Sequence, residues 1–210
     1  MMLYNKNKIH VSRISQFTYF PVILSLATEV GDLEIQSIKF LQNRLLVLTN
    51  KNLYLLSGSN ISDFALQLIN DDVGCIAPLS PVNIANQIMF LSNDGIWSAK
   101  SRSVSGGDNL NVYRVDEAIK NVLNFTDKDS VGVWADNKYF LNFRKNGRNF
   151  IVVYDSYYKM WVLWGSEYFD FVTMYYKDGI IYGVRRSRPE IVQFGYKRPE
   201  IGRASCRERM

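Results

Sequence analysis

Two stretches, Leu45-Leu46-Val47-Leu48 and Phe150-Ile151-Val152-Val153-Tyr154, are apolar at successive positions and not at alternate ones. Side chains alternate between the two faces of a strand, so a strand with one wet face reads apolar, polar, apolar. A strand apolar at every position must be covered on both faces. Each of these stretches belongs to a unit of polar turn, apolar strand, second turn and second apolar strand. The units begin at Asn43, Asn86, Asn137 and Asp178, and their hairpins occupy residues 43–56, 86–99, 137–154 and 178–194. The starts are 43, 51 and 41 residues apart, close to the period of β-propeller blades, about 40–50 residues. Stacked blades cover both faces of their inner strands, whereas a β-sandwich shows more polar alternation.

Further strands flank each hairpin. Ile35–Phe40, Val82–Ala85, Val131–Ala135 and Phe169–Tyr176 precede them, and Phe64–Ile69, Val112–Val115 and Met160–Trp164 follow the first three. The expected fold is therefore all-β, a β-propeller-like array of about four antiparallel four-stranded blades with one short helix. That helix is placed by Val115, Ala118, Ile119, Val122 and Leu123, at helical spacing behind Asp116. Gly74-Cys75-Ile76-Ala77-Pro78 reads as a small-residue connector, Asn93-Asp94-Gly95 as a hairpin turn, and Ser101–Asn109 as a polar, mobile loop. Phe17–Ala27, with Pro21 and interspersed Thr18 and Tyr19, reads as a β segment and not as a signal peptide's apolar core.

The chain has 210 residues, of which 47% are hydrophobic and 14% aromatic, enough for one sizeable domain or two small ones. No apolar run reaches the roughly 18 residues of a membrane-spanning helix. The net charge is +5, but Ile201–Arg209 (IGRASCRER) resembles an in-frame translation of a sequencing-library adapter. Residues 200–210 are accordingly read as a non-native tail that does not pack, and residues 1–199 as the propeller fragment. Without the tail the basic excess is too small to argue for nucleic-acid binding. Cys75 is then left alone, with no partner for an internal disulfide.

Reactive chemistry is sparse. His10 is the only histidine, so no two-histidine metal site or choice of triad base exists; it is expected on the surface. Cys75 reads as a buried structural thiol and not a nucleophile. Asp71-Asp72 and Asp127-Lys128-Asp129 do not match a calcium-loop pattern, and the glycines match no nucleotide fingerprint. No catalytic, cofactor-binding or metal-ligating residue is assigned, and no cofactor is expected. Tyr154, Tyr157, Tyr158, Trp161 and Trp164 have two readings, rings that stack on sugars or bases, and core packing around a strand–turn–strand; core packing is preferred. Trp97 and Trp161 are expected to be buried between blades. Arg185-Arg186-Ser187-Arg188 reads as a solvated basic turn in preference to a phosphate site.

The order GCIAPLSPV, NQIMFLSNDGIW, DEAIKNVL, VVYDSYYKMWVLW, KDGIIYGV resembles the β-propeller tail proteins of bacteriophages, the tubular nozzle or adaptor components of short tails and related neck proteins. His10-Val11-Ser12-Arg13, running on to Phe20-Pro21, is similar to that family's opening segment. Ile38–Gly58 is similar to its most regular hairpin. The resemblance covers residues 9–195. It implies a structural part of a virion tail channel that assembles as rings, with no enzyme activity. The implied partners are copies of itself and other virion proteins, with no specific nucleic-acid recognition, and the implied location is the virion, assembled in the host cytoplasm. The alternative is a cellular β-propeller that serves as an interaction or carbohydrate-binding module. A closed propeller usually needs more than four repeats, so the fragment is expected to be incomplete. One side of a terminal blade should then be bare, and Leu45–Leu48 with Leu53–Leu56 should present an apolar patch.

Overall fold

The computed structural model describes residues 2–12, 15–16, 18–20, 25–27, 33–42, 44–58, 64–104, 107–121 and 127–195. The chain divides into two compact units, residues 1–128 and 129–210. It is all-β, built from antiparallel meanders of the kind that form propeller blades.

In the first unit a three-stranded sheet, β1 (Met2–Asn5), β2 (Lys8–Val11) and β3 (Ser25–Ala27), comes first. Two four-stranded sheets follow. One comprises β4 (Ile35–Leu41), β5 (Arg44–Thr49), β6 (Leu53–Ser57) and β7 (Ala65–Asn70). The other comprises β8 (Val82–Ile84), β9 (Gln87–Ser92), β10 (Gly95–Val104) and β11 (Gly107–Arg114). The second unit holds the four-stranded sheet β12 (Val131–Ala135), β13 (Lys138–Lys145), β14 (Arg148–Asp155) and β15 (Met160–Gly165). Its other sheet is three-stranded: β16 (Phe171–Lys177), β17 (Ile180–Arg185) and β18 (Ile191–Gly195). Each of the four sequence repeats thus becomes one sheet, and a further sheet precedes the first.

The successive apolar residues behave as strand geometry requires. Leu45, Val47, Tyr54 and Leu56 face a core shared with Ile9, Leu33 and Ile35. Leu46, Leu48, Leu53 and Leu55 face the opposite way, into a core with Val73, Cys75, Ile88, Phe90 and Ala99. The expected apolar patch on the first repeat is therefore absent. The sheet β1–β3 covers that face, and Ile35 N–H donates to the Lys6 carbonyl at 2.7 Å beside it. Sequence reading missed this blade because its strands are only 4, 4 and 3 residues long, too short to stand out as a repeat.

The connector Gly74–Ser80 pins neighbouring sheets of the first unit together. Cys75 N–H donates to the Thr49 carbonyl at 2.8 Å, and Ile76 N–H to the Leu91 carbonyl at 3.0 Å. Ser80 Oγ donates to the Ala77 carbonyl at 2.8 Å and accepts from Leu91 N–H at 3.0 Å. Gly74 lies so close to the Asn50–Lys51 backbone that a Cβ there would overlap it. Small residues in this stretch are thus a packing requirement.

In the second unit Val131, Val133, Phe140, Ile151 and Val153 of one sheet pack with Phe171, Met174 and Ile181 of the other. Phe171 stacks on Phe194 at 5.3 Å, and its ring lies over Gly183, where a Cβ would stand 2.5 Å from it.

Two expectations are corrected here. The expected loop Ser101–Asn109 is, in its described residues, a continuation of β10 and β11 in antiparallel register, Ser101 opposite Leu110 and Val104 opposite Gly107; Ser105 and Gly106 lie outside the described residues. Polar side chains hid a strand pair whose backbone bonds do not depend on them. The expected helix is a single 3-10 turn, Glu117–Ile119; Val122, Leu123 and the tail 200–210 lie outside the described residues.

Candidate functional site

No group of three or more His, Cys, Asp or Glu poised for a metal occurs among the described residues. Asp71 and Asp72 belong to a turn in which Asn70 Oδ1 accepts from the N–H groups of Asp72 and Val73, at 2.9 and 2.8 Å. His10 is half-buried in β2, not fully exposed as expected. Cys75 is fully buried, and its Sγ donates to the Ala77 carbonyl at 3.2 Å. Burial pushes this thiol up to about 12 against the smaller opposing effects of Ser80, Ala77 and Lys39. A thiol so placed stays protonated and inert.

Two polar clasps close blade ends. In the first unit, Asp116 is fully buried and accepts from Arg114 Nε at 2.7 Å, while Arg114 also approaches Asp94 at 3.5 Å. Asp94 accepts from Trp97 Nε1 at 2.7 Å. In the second unit, the basic turn is ion-paired. Arg185 Nε meets Asp170 at 2.7 Å, Arg185 Nη1 meets Glu190 at 2.7 Å, and Arg186 meets Asp129 at 2.7 Å. With two of its three arginines engaged, the turn is not an open phosphate cradle.

Burial opposes ionisation of Asp170, but hydrogen bonds from Ser187 and Arg185 outweigh it and hold the carboxyl below its ordinary range. A carboxyl lowered on folding adds stability above its unfolded value, about 3.9, and that stability is lost as pH falls through the lowered folded value. Asp170→Asn should therefore be less stable than wild type at pH 7, and the gap should narrow below about pH 4. Denaturant midpoints of both proteins at neutral and acid pH check this.

The aromatic group splits by location. Tyr154 is buried and packs on half-buried Trp161 at 4.7 Å, and Trp164 meets Phe140 at 6.0 Å. Trp97 is also half-buried, against the core of Leu46, Leu48 and Phe90. Full burial of Trp97 and Trp161 is thus corrected: each is half-buried. Tyr157 and Tyr158, at the turn between β14 and β15, are 80% and 69% exposed, so the core-packing reading fails for them.

The second unit also carries a partly exposed sheet face. Opposite the packed side of β16–β18, antiparallel register sets Thr173, Val184 and Ile191 in one row and Tyr175, Tyr182 and Gln193 in the next. Tyr175 and Tyr182 stack at 4.9 Å with an interplanar angle of 11°. Ile191 is 61% exposed, and Tyr175 is exposed as well. Tyr182 and Val184, on the same face, are half-buried.

No family model matches the chain, and no curated protein matches it. Among solved structures it is similar to PorZ, an essential bacterial surface component of the type-IX secretion system of human oral-microbiomic Porphyromonas gingivalis. The match has 13% identity and a TM-score of 0.45, covering 93% of this chain and 24% of that one. The chain thus spans about a quarter of that protein's length. At this level of likeness, function has to be argued from the chain's own residues. No helix among the described residues is long and apolar enough to cross a membrane.

Proposed function

We propose that this chain is a structural component of a phage virion tail or neck, forming part of the channel wall by ring assembly. The observation that carries the reading is the partly exposed face of β16–β18, where Tyr175 and Ile191 are exposed and Tyr182 and Val184 are half-buried. A head-to-tail contact, in which this face takes a surface of the next copy, generates a ring when its rotation closes. The order and spacing of the hairpins from Gly74 to Val184 support the phage assignment by resemblance. The chain's work is then mechanical, with no enzymatic step. Its partners are copies of itself and adjoining virion proteins, and DNA passes with little sequence readout. Its place is the virion, after assembly in the host cytoplasm.

The rival is a cellular propeller that binds proteins or carbohydrate. Gene neighbourhood and particle proteomics separate the two. The phage reading expects portal or terminase genes beside this reading frame, and its peptides in purified, nuclease-treated particles. A cellular operon around the gene, with no peptides in particles, would refute it.

A further inference from the structure

We propose that the turn joining β14 to β15 is a glycan-binding tip, with Tyr157 and Tyr158 as the stacking platform for a neutral sugar. This inference stands apart from the assembly reading and uses a different surface. A turn here asks for Gly, Asn or Asp, not for two consecutive tyrosines. The two rings meet edge to face at 4.9 Å and 86°, which leaves a ring face open to solvent.

The backbone beneath them is tied down. Asp155 Oδ1 accepts from the N–H groups of Tyr157 and Tyr158 at 3.0 and 3.1 Å, and Lys138 Nζ lies 3.2 Å from Asp155. Ser156 donates to the Asn137 carbonyl through both N–H (3.0 Å) and Oγ (2.8 Å), locking the two turns at this end of the sheet together. The rings are therefore displayed from a held turn, flanked by exposed Asp136, Asn137 and Lys159.

The chemistry selects among ligands. Lys138 and Lys159 are balanced by Asp136 and Asp155, so the tip lacks the cationic excess that binds a phosphate backbone. Protein hot spots sit in desolvated pockets ringed by other contacts, whereas these rings stand clear at the end of a hairpin. A pyranose needs only an aromatic face for its C–H groups and flanking polar groups for its hydroxyls, and both are present.

The test is the full chain on an array of neutral gluco-, manno-, galacto- and N-acetylglucosamine oligosaccharides, with oligo(dT) alongside. Wild type should bind at least one neutral class. The Tyr157→Ala/Tyr158→Ala variant should bind it about tenfold or more weakly, as for a lost stacking ring, with an unchanged melting temperature. Tyr157→Phe/Tyr158→Phe should retain most of the binding. The proposal is overturned if no neutral glycan binds, if the alanine variant binds equally well, or if only oligo(dT) is captured.

Discussion

Phe90→Ala should destabilise the first unit by about 3–5 kcal/mol, the usual range for emptying a buried aromatic site. Phe90 is fully buried in β9, inside the core that joins β5 and β6 to β9 and β10. Its neighbours come from two stacked sheets whose backbones are fixed by ladders and by the Gly74–Ser80 connector, so the cavity cannot collapse cheaply. Trp97 lies directly across the ladder from Phe90 and reports the loss. Urea unfolding followed by tryptophan emission, with amide exchange of residues 87–104 to separate the units, measures it. An effect below about 1 kcal/mol would mean that these sheets do not share a tight core.

Gly95→Ala should be nearly as costly. Gly95 closes the β9–β10 turn at φ 145°, a conformation side-chain-bearing residues rarely adopt. A Cβ there would also overlap the carboxylate of fully buried Asp116 and the guanidinium of Arg114. Overpacking costs about 1–3 kcal/mol and backbone strain about 1–3 more. A double-mutant cycle with Asp116→Ala identifies the source: if the clash is with the carboxylate, the pair should lose clearly less than the sum of the single losses. Strict additivity would assign the effect to backbone strain and the Arg114 guanidinium, not to the carboxylate.

The blades were legible where burial writes a pattern. Consecutive leucines in β5 and β6 announced two covered faces, and Asn93-Asp94-Gly95 announced the turn that Gly95 closes. Legibility failed where structure rests on backbone bonds alone. The pairing of Ser101–Val104 with Gly107–Leu110 offers only Val104 and Leu110 as apolar positions, too few to make a pattern, and the first blade is too short to stand out as a repeat. Exposure within the aromatic run was likewise hidden. Tyr154 and Tyr158 are the same residue type four positions apart, and only the turn at Asp155 decides that one is buried and the other is not. The Asp116 clasp could have been suspected from an acid two residues after Arg114, but its closure over Gly95 is a tertiary fact.

Assembly through the partly exposed face of β16–β18 is the claim on which the functional account turns, and mass photometry of the purified chain across a concentration series tests it most directly. The 24.3 kDa chain should form a discrete multimer of several protomers. Ile191→Lys, which places charge at a 61% exposed site on that face without touching the core of Phe171, Met174 and Ile181, should remain monomeric with an unchanged melting temperature. A wild-type chain that stays monomeric at every concentration, or a lysine variant that assembles equally well, would contradict the account.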